Sequence, residues 1–254
     1  MSFIIAFTLR WLIKGWLLAK LAIVVRRSLV KKYNLEKNFK QTQSDEKIRW
    51  ADLRWYADLA ANVYSSKEKI HAIYDKDFSV YINEINEIQY IVLTDKTTKN
   101  NYVSIRGTSN SHNAMQDINF FKDKSRRLGI QMIADDLLFR LNVNYAVTVT
   151  GHGLGGAAAL VTSWYLDHAN FNVKECITFG QPKVTDSHGN RVMRDKIKLT
   201  RVVNETDVVP LVPPTGTHRH RYAHIGTLIK LLDDGKYCHL QEPDSLNFGV
   251  NSFW

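Results

Sequence analysis

The stretch from Tyr145 to Leu160 restricts the fold more than any other part of the chain. It reads YAVTVTGHGLGGAAAL. Tyr145 to Thr150 is short, apolar and β-branched, the pattern of a buried strand. Gly151 to Gly156 places four glycines in six residues, a turn that needs positive φ or close backbone approach. Ala157 to Leu166 contains good helix formers and no breaker. The unit is therefore strand, tight turn, helix.

Two kinds of site are built on such a unit. Gly151, Gly153 and Gly156 spell G-x-G-x-x-G, the fingerprint of a dinucleotide fold. The same residues, GHGLGG, differ in one place from G-x-S-x-G, the nucleophile elbow of a hydrolase. That place is Gly153, where the elbow carries its serine. A third reading is a glycine turn that only packs a helix against a strand. The turn alone does not choose among them.

Charge sets the next constraint. The net charge of +9 over 254 residues is uneven. Residues 1–40 hold Arg10, Lys14, Lys20, Arg26, Arg27, Lys31, Lys32, Lys37 and Lys40 against Glu36, a local excess of +8. Residues 3–25 are mostly apolar, but Arg10, Lys14 and Lys20 interrupt them, so no uncharged run reaches the roughly 18 residues of a clear spanning helix. A secretory signal fits poorly, because the basic residues lie inside and after the apolar run. Three readings stay open for residues 1–40: a basic interfacial helix, a signal-anchor span, or a helix docked on the domain. Trp11, Trp16 and the trailing basic residues suit an anionic membrane surface on the cytoplasmic side. The expected partner of this segment is lipid, not nucleic acid. Cys176 and Cys238 do not make a disulfide framework, and Cys176 reads as a small core residue. The histidine-rich HRHRYAH at 218–224 has no partner cluster, so no metal and no cofactor is expected.

The folded domain is placed at 41–254, after a polar linker at Lys40 to Ser44. Ser44 or Asp45 is expected to cap a helix over 46–64, with Ile48, Ala51, Trp55 and Leu59 facing the core. Ile88 to Thr94 and Tyr102 to Arg106 read as strands joined by the hairpin loop DKTTKNN. Leu128 to Leu141 reads as a helix, Val173 to Phe179 and Leu199 to Val203 as further strands. Arg221 to Leu232 reads as a long strand or hairpin arm, with Lys236 to Gln241 returning. Alternation of strand and helix from 88 to 203 predicts an α/β fold: a mostly parallel sheet with helices on both faces.

This frame weighs against the dinucleotide reading. The ribose-binding acid belongs at the end of the next strand, but that strand ends in Phe179, Gly180 and Gln181, with Glu175 at its beginning. The fingerprint also normally opens its domain, whereas two strands precede it here. A hydrolase needs an oxyanion donor from an earlier strand end and an acid from a later one. Thr108 follows one strand, Leu154 follows the elbow, and Asp207 follows the Leu199 strand. The ordinary reading of Asp207 is a turn or N-cap aspartate.

The motifs together resemble the class 3 (fungal-type) lipases. They are SIRGTSNS from 104, VTGHGLGGAAAL at 149–160, TFGQPKVTD at 178–186, RVVNETDVVPLVPP at 201–214 and YAHIG at 222–226, in the family's order. The resemblance implies an α/β-hydrolase fold and a lipid-ester substrate. It implies Thr108 and Leu154 as oxyanion donors, Gly153 at the nucleophile position, Asp207 as the triad acid and a lid near Ser109 to Phe121. Three departures accompany it. Gly153 has no hydroxyl, so no acyl-enzyme forms there. The His-x-Gly-Phe segment that usually lies between lid and elbow is missing. The catalytic histidine expected well beyond Y-x-H-x-G is not found before Trp254, as if the domain were incomplete at its C-terminus. His224 matches the family's non-catalytic histidine, and His239 lies early for the role. The expectation is a lipase-type scaffold impaired as a triad hydrolase, or a pseudoenzyme that binds lipid or a partner.

Overall fold

A computed structural model describes residues 48–107, 124–211, 222–232 and 237–241. Residues 1–40 and the expected lid therefore lie outside the described residues. Among those described, no helix is long and apolar enough to cross a membrane.

The described residues open with two helices, α1 (Trp50–Asn62) and α2 (Lys67–Tyr74). An antiparallel run follows: β1 (Ser79–Ile85), β2 (Ile88–Asp95) and β3 (Asn100–Ile105). From β3 onward the main sheet is parallel. Helix α3 (Lys124–Arg140) leads to β4 (Ala146–His152), and α4 (Leu154–His168) leads to β5 (Val173–Phe179). A short strand β6 (Thr185–Asp186) and helix α5 (Ser187–Arg194) precede β7 (Leu199–Asn204). Last come β8 (Tyr222–Ala223), β9 (Thr227–Leu231) and β10 (Tyr237–Gln241). The eight strands described in the main sheet run in the order β1-β2-β3-β4-β5-β7-β9-β10, and β6 pairs with β8 apart from it.

The sheet is covered on both faces, and the two cores follow the strand alternation. Val103, Val149, Cys176 and Leu199 share one row and pack with Ile130, Ile133 and Leu137 of α3 and Ala157 to Leu160 of α4. On the opposite face Ile91 and Leu93 pack with Leu59 and Val63 near α1 and with Ile70 and Tyr74 of α2. Burial on both faces explains why these strands read as continuous apolar runs. It also raises the Cys176 thiol to about 12, an inert core group.

Two expected elements differ. Helix α1 starts at Trp50, after Arg49, whose guanidinium pairs with Asp52 in the first turn at 2.7 Å. Its buried side is Tyr56, Leu59 and Ala60, while Ala51 is exposed and Trp50 packs edge-on against Tyr237 at 4.8 Å. The arm over 221–232 is broken at Gly226, which has φ +80 and packs so closely that a Cβ there would strike the Leu199 backbone. Only after this break does the chain join the sheet as β9, beside β7.

Candidate active site

The elbow is a close three-way crossing of backbone. A Cβ at Gly155 would collide with Ile105 O and Gly107 N, and one at Gly151 with the Gly155 carbonyl. These glycines let the start of α4 lie directly against the end of β3 and across β4. Gly107 is held from the other side, where its N–H donates to the Tyr64 hydroxyl at 3.0 Å. Burial raises the Tyr64 phenol above its usual range, so it stays a neutral hydroxyl. Thr108, the next residue, lies outside the described residues.

Gly153 caps α4 with φ +58 and ψ −124. Its N–H donates to Phe179 O at 2.8 Å and its carbonyl accepts the Ala157 N–H at 3.2 Å. That bond is the first of the helix, so the N–H groups of Leu154, Gly155 and Gly156 precede the ladder and give this end a partial positive charge. A Cβ built on Gly153 meets nothing within 4 Å. Position 153 therefore combines the sharp positive-φ geometry of an elbow with open room for a side chain it does not have.

Asp207 reaches the same edge from β7. Its Oδ1 accepts the Val209 N–H at 2.9 Å, which starts the short 3-10 turn Val209–Leu211. The turn role read from sequence is thus real, but it occupies one oxygen. The other, Oδ2, lies against Gly180, where a Cβ would fall 2.5 Å from it. Gly180 has φ +56 and follows Phe179, the acceptor of the Gly153 N–H. The exposed His152 has its Nε2 only 3.6 Å from that same Cβ point. Gly153, Leu154 and Asp207 are thus gathered on one sheet edge, with His152, Gly180 and Tyr64 as neighbours that sequence reasoning had not singled out. For Gly180 the available signal was a glycine directly after a strand and two residues before Pro182.

The two histidine candidates are not placed alike. His224 Nε2 donates to the Pro210 carbonyl oxygen at 2.7 Å; a carbonyl oxygen can only accept, so Nε2 carries the proton. Its Nδ1 is shut off from solvent. Burial pushes the ring's pKa well below the usual range, and the Arg201 guanidinium adds to this. His224 is therefore a neutral tie between β8 and the turn that carries Asp207. His239 pairs with Ile229 on the edge strand β10, and the row continues through Val202 and Phe179 to His152. Four strand spacings of ~4.8 Å separate His239 from β4, so it is not brought to position 153. Among the described residues no group of acids, histidines and cysteines is arranged to hold a metal.

The strand order decides the fold question. A dinucleotide site lies where the order of a parallel sheet reverses, but β3, β4 and β5 are neighbours in chain order. The glycine turn is at no such switch point. The family described as Lipase (class 3) matches residues 128–217. A lipase of Rhizomucor miehei is 28% identical over 195 residues, covering 64% of this chain and 54% of the relative. A secreted mono- and diacylglycerol lipase of Fusarium solani is 28% identical over 162 residues, covering 55% and 48%. The chain spans about half the length of these two relatives. A triacylglycerol lipase whose catalytic centre is a serine protease triad superposes with a TM-score of 0.60 at 22% identity, covering 80% of this chain and 91% of that one.

This chain is class 3 lipase-like, built on the α/β-hydrolase fold. Gly153 stands at the turn between the end of β4 and the start of α4.

Proposed function

We propose that this chain is a lipase-type scaffold that binds lipid esters without serine-triad hydrolysis at its elbow. The observation that carries this reading is position 153: φ +58, ψ −124, open space at the Cβ and no hydroxyl. An acyl-enzyme needs a nucleophile oxygen at that point. The N-terminal N–H groups of α4 remain as donors for an ester carbonyl, and the Asp207 carboxylate remains near the edge. The relatives support lipid esters as the ligand class, through a lipase and a mono- and diacylglycerol lipase. Membrane association through residues 1–40 belongs to the same proposal.

The test uses the full chain. A fluorophosphonate probe is expected to leave no covalent adduct, and long-chain p-nitrophenyl esters to show no turnover above background. A fluorescent long-chain acyl ester is expected to bind saturably. Gly153→Ser alone is expected to restore little turnover, since His224 is committed to Pro210 and His239 sits on the far strand. An adduct or turnover by the unaltered chain overturns the proposal. So does the absence of any acyl-ester binding.

A further inference from the structure

Tyr64 is 36% exposed, yet it is fixed at both ends. It follows α1 directly, and its N–H returns to Ala61 O at 3.2 Å. On either side of it, the carbonyls of Val63 and Ser65 accept from the side-chain amide of Gln89, at 2.6 and 3.2 Å. Gln89 is itself buried on β2, and its backbone carbonyl accepts the Arg106 N–H at 2.8 Å. One buried residue thus ties the backbone around Tyr64 to the end of β3. At the far end of the side chain, the hydroxyl accepts the Gly107 N–H at 3.0 Å. A phenol oxygen that accepts one bond still has a proton to donate. Among the described residues nothing takes that proton.

The hydroxyl lies at the elbow. Its oxygen is 2.8 Å from the point that a Cβ at Gly107 would occupy, and the Gly155 nitrogen is 2.9 Å from the same point. The Gly155 N–H is one of those that precede the α4 ladder. Two donors of different origin, a phenol and a backbone amide, therefore stand around one point. The charges decide what kind of oxygen they receive. Burial raises the Tyr64 phenol above its usual range, so it stays neutral. Arg106, the cation beside it, is turned to the Glu87 carbonyl at 2.7 Å and to Glu84 at 3.6 Å. Asp207 brings a carboxylate to the same sheet edge. Neutral donors near a carboxylate favour a neutral acceptor over a ligand carboxylate or phosphate. A carbonyl oxygen fits.

We infer that Tyr64 recognises the acyl carbonyl, its hydroxyl donating to the carbonyl oxygen of a bound ester beside the α4 N–H groups. The inference rests on the lipid-ester reading above and says how that site distinguishes an ester from other long-chain lipids. A lipid without a carbonyl covers these donors and leaves them unpaired, which costs affinity.

The experiment is done on the full chain. It compares a fluorescent long-chain acyl ester with the matching ether, in which a methylene replaces the carbonyl. The unaltered chain is expected to bind the ester more tightly. Tyr64→Phe keeps the ring and removes the hydroxyl. It is expected to weaken ester binding about two- to tenfold, the range for one neutral hydrogen bond, and to leave the ether unchanged. The variant also takes an acceptor from the Gly107 N–H, but that loss acts on both ligands alike. 3-Fluorotyrosine incorporated at position 64 keeps the size of the side chain and makes its hydroxyl a stronger donor. It is expected to tighten ester binding and again to leave the ether unchanged. The inference is overturned if Tyr64→Phe weakens both ligands equally or leaves the ester unchanged, or if the fluorinated residue does not tighten the ester. Equal binding of ester and ether by the unaltered chain also overturns it, while the ester-binding reading stands. Binding of neither ligand overturns both.

Discussion

Gly153→Ser is expected to destabilise the fold, and the amount can be worked from the geometry. The built Cβ at 153 meets nothing within 4 Å, so the substitution causes no clash and no repacking. What remains is the backbone. A non-glycine residue held at φ +58 and ψ −124 costs about 1–3 kcal/mol. Replacing glycine also removes freedom from the unfolded chain, which returns about 0.4–1 kcal/mol. A net loss of about 1–2 kcal/mol is left. For a domain of this size, 1 kcal/mol corresponds to about 2–4 °C in Tm, so a decrease of about 2–8 °C is expected in a thermal melt followed by circular dichroism. Gly153→Ala should lose the same amount, because the cost arises at φ and not from the hydroxyl. If either variant melts at or above the parent temperature, the elbow is not strained for L-residues. If serine alone is tolerated, its hydroxyl has found a partner, and the argument from backbone strain fails.

Two further outcomes follow from the neighbours of the elbow. Gly180→Ala combines a positive φ of +56 with a Cβ placed 2.5 Å from Asp207 Oδ2; it is expected to cost at least about 1–3 kcal/mol, measured by urea unfolding, and a neutral result would show that the Asp207 carboxylate is not seated there. His224 is held neutral in the fold, with a pKa well below 6.5. The unfolded chain therefore binds the proton first, so stability is complete above about pH 6.5 and is lost as pH falls toward the depressed folded value. His224→Gln is expected to flatten that acid limb of the melting-temperature profile, and an unchanged profile would refute the assignment.

How far the sequence carried depended on whether an element is determined locally. The β4 turn α4 unit was legible because Gly151, Gly153 and Gly156 have no use in a strand or helix interior except close approach or positive φ. Strand β5 and the β2–β3 hairpin were legible from their apolar runs and polar loop. Helix α2 is not legible in the sequence although Ser66 caps it through the Lys69 N–H, since KEKIHAIY shows little periodicity in eight residues. Helix α5 is held by the Asp186 side chain accepting from His188 and Gly189, a local cap before a segment rich in poor helix formers. The relations within the site were out of reach for another reason. Asp207 meets Gly180, and His224 meets Pro210, only because distant segments return to one edge of the sheet. Periodicity carries no record of such meetings.

The order of the main sheet also bears on how the domain is made. Each described strand of that sheet pairs with the one before it in the chain, apart from the excursions of β6 and β8. None of the described strands has to be inserted between two already joined as the chain is made. Every strand extends an open edge as it arrives, first β1 to β3 as an antiparallel meander, then the helix-linked strands one at a time. Domains form as units while synthesis proceeds, and loop closure between neighbours in sequence is the cheapest kind. Strand β4 can pair with β3 before β5 arrives, whereas the Gly153 N–H gains its Phe179 acceptor only with β5.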